Sequence, residues 1–277
     1  MNIVLVHGVL GFSQLHLGLG TIEYFASVAE HLRQRFQASV AAPALDPTQG
    51  TEVRSGQLRS AIGEALRTGQ LNPAEPVHII AHSLGGLDSR RMIATNPFIE
   101  AGGNNVPVKA LATISTPHRG SPIADVIALK FLPKLPGIQA VLQGADAALQ
   151  SVLDHFKISL QSLHDLTSES ASQFNAEFPD QPNVRYCSYA GRGRDGFPPT
   201  CAFFLPYYEY IRLHTKGLDQ SDGMVTVSSA QWANFDRNLW PCDHGDEIGH
   251  DLDHPLQGVT AQALDRFDQI VSSFQAS

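Results

Sequence analysis

The apolar run Val77-His78-Ile79-Ile80 leads directly into Ala81-His82-Ser83-Leu84-Gly85-Gly86. The run reads as a buried strand, and the glycine pair behind it as the opening of a helix. A serine at such a junction, with small residues two before and two after it, has the pattern of a sharp strand-to-helix turn that exposes a hydroxyl. The usual form is G-x-S-x-G; Ala81 stands at the first glycine and is larger by one methyl group. Ser83 is therefore the candidate nucleophile, with a plain strand-to-helix connection as the alternative reading. A chain built around this turn is directed toward alternating strands and helices, with chemistry at the carboxyl ends of the strands.

Two further stretches bear on that alternative. The strand-like Asn2-Ile3-Val4-Leu5-Val6 runs into His7-Gly8-Val9-Leu10-Gly11-Phe12. Acyl transfer through a serine puts a negative charge on the former carbonyl oxygen, and preorganised backbone N–H groups stabilise it without reorienting. Val9 and Leu84, the residue after the serine, are the candidate oxyanion donors. Later come Ser221-Asp222-Gly223-Met224-Val225 and Cys242-Asp243-His244-Gly245-Asp246-Glu247. Ser83, Asp222 and His244 follow the chain order nucleophile, acid, base. An Asp-Gly turn and a solvated loop histidine are the alternatives for the last two.

Periodicity supports the alternating order. Residues 2–6, 38–42, 77–81, 109–114 and 184–189 read as strands. Ile22, Phe25, Ala26, Ala29, Leu32 and Phe36 fall on one helical face, and Leu58, Ile62 and Leu66 on another. Leu256, Val259, Ala263, Phe267, Ile270 and Phe274 form a core-facing stripe on a last helix.

Taken in order, these residues resemble one family, the bacterial true lipases of the α/β-hydrolase superfamily, typified by secreted Pseudomonas, Burkholderia and Proteus enzymes. The likeness also takes in Thr51-Glu52-Val53-Arg54-Ser55-Gly56-Gln57-Leu58, Leu87-Asp88-Ser89-Arg90, Thr116-Pro117-His118-Arg119-Gly120-Ser121, and Gln173-Phe174-Asn175. It implies an α/β-hydrolase fold: a mostly parallel central sheet with helices on both faces and a helical lid insertion. It implies the triad Ser83, Asp222 and His244, the last two 22 residues apart, and the oxyanion donors Val9 and Leu84. The implied activity is carboxylic ester hydrolysis, foremost of triacylglycerols. A short-chain esterase, a polyester depolymerase and a non-catalytic binding protein of the same fold are the rivals.

The resemblance also implies a structural calcium ion near the catalytic histidine. Asp246 has a counterpart as ligand, whereas the second is missing: its place falls near Pro199 and Thr200, and the nearest acid, Asp195, lies several residues early. Calcium takes about six to eight oxygen ligands, so the acidic run 244–254 reads equally as a polar loop. The chemistry itself needs no cofactor. The segment 123–166, broken by Pro133, Pro136 and Gly137, reads as the lid, or as a pair of packed helices. His118 and Arg119 are expected to line the pocket or to support it.

With 277 residues, 43% of them hydrophobic, the chain reads as one domain over its length, without linker, low-complexity tract or internal repeat. A net charge of −8 argues against nucleic acid and against anionic membranes as partners. No apolar run approaches the roughly 20 residues of a membrane span; the partner that the resemblance implies is a lipid or other ester, at an oil–water interface. No basic stretch followed by an apolar one resembles a Sec leader; cytoplasmic residence, another export route and a mature form all stay open. Cys187, Cys201 and Cys242 allow at most one disulfide.

Overall fold

Strands β1 (Asn2–Val6) and β5 (Val77–His82) are buried at every position. Strands covered on both faces lose the polar alternation of a one-sided sheet, which is why both read as near-continuous apolar runs. The computed structural model describes residues 1–8, 14–17, 20–25, 27–131, 160–254 and 259–275. Its central sheet has seven strands, in the order β4 (Ser39–Ala41), β1, β5, β7 (Asn104–Ile114), β8 (Arg185–Tyr189), β9 (Asn234–Phe235), all parallel. The seventh, β6 (Phe98–Ala101), pairs antiparallel with β7.

Alternate side chains of each strand serve opposite layers. Ile3, Leu5 and Ile80 pack with Val28 and Leu32 of α1 (Val28–Phe36) and with Phe267, Ile270 and Val271 of the last helix, α9 (Ala261–Gln275). Val4, Val6, Ile79 and Ala81 face the other way, onto Leu58 and Ile62 of α2 (Thr51–Arg67) and Met92 and Ile93 of α3 (Gly85–Thr95). The register aligns Val6 with Ala81, Ala81 with Thr113, and Ile114 with Tyr189. One edge of the sheet therefore carries, side by side, the turns that begin at His7, Ser83, Ser115 and Ala190.

Beyond the sheet, α4 (Pro122–Phe131), α5 (Leu160–Asp165) and α7 (Leu205–His214) meet through Ile123, Ala124, Leu163 and Ile211. The helix α6 (Ser168–Glu177) is capped by Thr167, whose hydroxyl accepts from Ser170 N–H. Of the expected lid at 123–166, residues 132–159 lie outside the described residues. No described helix is long and apolar enough to cross a membrane.

The structure departs from the periodicity reading in three places. Helix α1 begins at Val28, not at Ile22, because 20–23 form β3 (Gly20–Glu23), antiparallel to β2 (Gln14–Leu17). The alternation Gln14-Leu15-His16-Leu17 has the period of two that suits a hairpin. Helix α9 begins at Ala261, so Val259 precedes it; its side chain packs over Gly249 instead. Strand β7 extends back to Asn104, beyond the expected 109–114, to pair with β6. The three cysteines are free and buried.

A fully buried ion pair ties the second layer to the functional edge. Arg54 on α2 places Nε and Nη2 each 2.8 Å from Asp88 Oδ2 on α3. Its Nη2 also donates to His7 O at 2.9 Å, and its Nη1 to Asp46 O at 3.1 Å. Burial pushes the Asp88 carboxyl up from 3.8 to about 6, against the pull of Arg54. An acid whose folded pKa is raised contributes stability that is complete below its unfolded pKa and declines as pH rises through the folded one. Without the guanidinium the folded value rises further, and a charge is left buried without a partner. Arg54→Met is therefore expected to cost about 3–5 kcal/mol at neutral pH, with a smaller deficit near pH 5 than near pH 8. Urea denaturation of parent and variant at both pH values checks this; equal deficits would assign the loss to packing instead of charge.

Candidate active site

Ser83 follows the last residue of β5 with a φ of +56°. A side chain in that left-handed region is strained, and the neighbours hold it there. Ser83 N–H donates to Ile114 O at 2.9 Å, while its carbonyl accepts from Gly86 N–H at 3.1 Å and from the Thr116 hydroxyl at 2.8 Å. The tightness of the turn also explains its small residues. A Cβ on Gly85 would lie 2.6 Å from Val6 O, and one on Gly8 would lie 2.6 Å from Ser83 Cβ. Ala81 is wholly buried between β1 and β7, where its methyl group is accommodated.

Asp222 and His244 meet. The His244 Nδ1 and the Asp222 Oδ2 are 2.7 Å apart, and the His244 backbone N–H donates to Asp222 O at 3.0 Å. Asp222 Oδ1 accepts from the N–H groups of Met224 and Val225 at 2.8 and 2.7 Å, so the turn that carries the acid also aims it. Burial pushes this carboxyl up, but His244 and the two backbone donors outweigh it and hold it below the ordinary range. With Nδ1–H given to Asp222, Nε2 is left as the proton acceptor. The His244 ring lies against that of His82, centroids 4.3 Å apart, one residue before the candidate nucleophile. Among the described residues no hydrogen bond joins the Ser83 hydroxyl to His244; such bonds often tighten only with substrate in place.

Behind these residues runs a buried polar chain. Gly8 N–H donates to the Tyr24 hydroxyl at 3.0 Å, which sits 2.6 Å from His82 Nδ1. The His82 Nε2 lies 3.0 Å from Glu247 Oε2. Glu247 Oε1 accepts from the Ser115 hydroxyl at 2.5 Å and from Gly191 N–H at 2.8 Å. Burial holds Tyr24 protonated and His82 neutral. The phenol then donates to Nδ1, and Nε2–H donates to Glu247. Glu247 is driven well above the usual carboxylate range by burial and then by the charge of Asp222. Ligand atoms of His82, His244 and Glu247 lie within 4.8 Å of one another. Both ring nitrogens of His82 already have partners, and a metal there would take up His244, the candidate base, so the cluster is not suited to one.

The remaining candidates fall around this centre. Leu84 is buried in the first turn leading into α3, where an amide has no intrahelical acceptor; Val9 lies outside the described residues. Asp246 faces the Arg194 side chain through both carboxylate oxygens, at 2.7 and 2.9 Å. His118 is fully buried between Thr113 and Arg90 and stacks on Trp232, which makes it a support. Arg119 turns away, bonding carbonyls of Ser228 and Gln231. His250 Nε2 bonds Tyr24 O at 2.7 Å, and His254 pairs with Asp251 at 3.0 Å, so neither meets Asp222 through these contacts. Sequence reasoning left Tyr24, Ser115, Arg194 and Glu247 without roles. Glu247 had a signal, its place three residues after His244; Tyr24 had none, since a lone tyrosine beside Phe25 reads as core.

Comparison with known proteins converges on one group. No protein-family model matches the chain. It is 28% identical over 272 residues to a triacylglycerol lipase of Pseudomonas fragi, covering 90% of this chain and 87% of that one. It is 25% identical over 182 residues to a triacylglycerol lipase of Burkholderia plantarii, covering 64% of this chain and 48% of the relative, about half its length. The crystal structure of Staphylococcus hyicus lipase shares the fold with a TM-score of 0.69 at 19% identity, over 99% of this chain and 95% of that one. The chain thus has the α/β fold of these lipases, with a parallel central sheet, and over nine tenths of its length it is similar to a bacterial triacylglycerol lipase of the α/β-hydrolase superfamily.

Proposed function

We propose that this protein is a carboxylic ester hydrolase acting on triacylglycerols through an acyl-enzyme on Ser83. The observation that carries the reading is the Asp222–His244 pair, 2.7 Å apart, beside the left-handed turn that presents Ser83 at the carboxyl edge of the sheet.

In this reading His244 Nε2 takes the Ser83 proton as Oγ attacks the ester carbonyl, and the imidazolium formed is stabilised by ionised Asp222. The oxyanion is received by backbone N–H groups of Leu84 and Val9. Collapse of the tetrahedral intermediate breaks the bond to the alcohol oxygen, which leaves with the proton from His244. Water then attacks the acyl-enzyme, giving its proton to Nε2, and the fatty acid is released as Ser83 recovers its hydrogen. Every proton removed is returned, and the steps require no cofactor. The substrate is taken to be a lipid ester met at an oil–water interface, with segment 123–166 as the lid that selects acyl chains.

Three outcomes test the proposal. Ser83→Ala should fold as the parent does, since Ser83 is only partly buried and the Cβ is kept, and should lose ester hydrolysis by about a millionfold. It should also lose labelling by a fluorophosphonate probe; appreciable turnover by the folded variant would remove Ser83 from the mechanism. His244→Ala should be comparably inactive while His250→Ala retains turnover, measured on p-nitrophenyl butyrate; the reverse ranking would reassign the base. Each buried methylene contributes about 0.8 kcal/mol, so an apolar lid biases binding toward longer chains. Changing Val141, Leu142, Leu149 and Val152 to Ser should shift the chain-length profile toward short soluble esters. Coincident profiles, or a parent that prefers acetate and ignores emulsified triolein, would favour the esterase reading.

A further inference from the structure

The loop that carries His244 is dense in acid, and one side chain gathers it. Arg194, in the turn after β8, brings Nε to 2.7 Å from Asp246 Oδ2 and Nη2 to 2.9 Å from Asp246 Oδ1. The same Nη2 lies 3.2 Å from Asp251 Oδ1 and 3.3 Å from Asp243 Oδ2, while Nη1 lies 2.7 Å from Asp253 Oδ2. A planar guanidinium with five donors can serve several carboxylates at once, which an ammonium cannot. Two of these acids flank His244 directly, Asp243 before it and Asp246 two residues after.

The calcium ion that the family resemblance implies does not fit these residues. Calcium needs about six to eight oxygens converging on one point, and here the convergence point is taken by the guanidinium. The oxygens are further committed to backbone donors. Asp243 Oδ2 accepts from Cys201 N–H at 2.7 Å, and Asp243 Oδ1 from Gly245 and Asp246 N–H at 3.0 Å each. Asp246 Oδ2 accepts from Asp243 N–H at 3.1 Å, and Asp253 Oδ1 from Ala202 N–H at 3.0 Å. Two further side chains touch the loop: His254 Nδ1 lies 3.0 Å from Asp251 Oδ2, and Arg266 Nη1 donates to Asp246 O at 3.3 Å.

We propose that Arg194 is the resident cation of the catalytic-histidine loop, a positioning residue that holds His244 on Asp222 through Asp243 and Asp246 and makes the loop independent of divalent metal. It acts from the turn that also supplies Gly191 N–H to Glu247, so the base and the polar chain behind it are fixed from one short segment. The inference rests on the hydrolase reading for its activity arm only; the stability arm stands by itself.

The test compares wild type, Arg194→Gln and Arg194→Lys, each in EDTA and in millimolar calcium chloride, by thermal melting and by kcat and KM on p-nitrophenyl butyrate. Wild type should show the same melting temperature and kcat in both media. In EDTA, Arg194→Gln should lose about tenfold or more in kcat with little change in KM, because the base and not the pocket is displaced. Calcium should leave that deficit unchanged, since the carboxylate oxygens stay committed to backbone N–H groups when the guanidinium is removed. Arg194→Lys, which keeps the charge without the fork, should fall between the two. If Arg194→Gln does not fold in EDTA, the same comparison is read from Arg194→Lys. The proposal is overturned by a wild type that loses stability in EDTA and regains it with calcium. It is equally overturned by an Arg194→Gln protein as active in EDTA as wild type. A wild type that hydrolyses no ester would sink the hydrolase reading instead, and the melting curves would still decide the role of Arg194.

Discussion

The chain of hydrogen bonds from Gly8 N–H through Tyr24, His82 and Glu247 to Gly191 N–H is the constraint on which the functional edge depends. It joins the turns that follow β1 and β8, and the last residue of β5, to the loop of His244. Buried polar groups in a medium of low dielectric are costly if any member lacks its partner, so such a chain is held as a whole or not at all. The turn at Ser83 can persist at a φ of +56° because its neighbours are over-determined in this way. The residue next to it is pinned from both ring nitrogens.

Two acids stand beside His244, and their surroundings divide them. Asp222 lies 2.7 Å from Nδ1 and receives two backbone N–H groups; Glu247 lies 3.7 Å away and is spent on a hydroxyl, a histidine and one amide. Two carboxylates in one buried site do not both ionise readily. His244 and the backbone donors hold Asp222 below the ordinary carboxylate range, while burial and then the charge of Asp222 push Glu247 above it. The pair thus separates into a partner for the imidazolium and a structural hydrogen-bonding group, by environment and not by residue type.

Much of this was legible before the fold, for reasons that are local. The turn at Ser83 is specified by six consecutive residues whose sizes are set by contacts with adjacent strands, and the strand runs followed from burial on both faces. Asp222 and His244 were readable through their order and separation together with the family likeness, because neither is marked by its own neighbours. What escaped depends on distant partners. Tyr24 becomes polar machinery only where β5 brings His82 beside it, 58 residues on. The hairpin at 14–23 was hidden because Ile22 also fits a helical face, and the short strand β9, two residues long, is below any periodicity. Arg194 gave no signal, since an arginine after a strand is ordinary until four acids 49 to 59 residues later fold back upon it.

The three cysteines carry a last consequence. Cys187, Cys201 and Cys242 are all unpaired and buried, and burial pushes their thiols up, that of Cys201 to about 12. Thiolates are the reactive form, so these sulfurs are poor nucleophiles and poor targets for oxidants while the chain is folded. The fold asks nothing of its surroundings in redox terms: its stability involves no covalent cross-link among them that a reducing compartment could open.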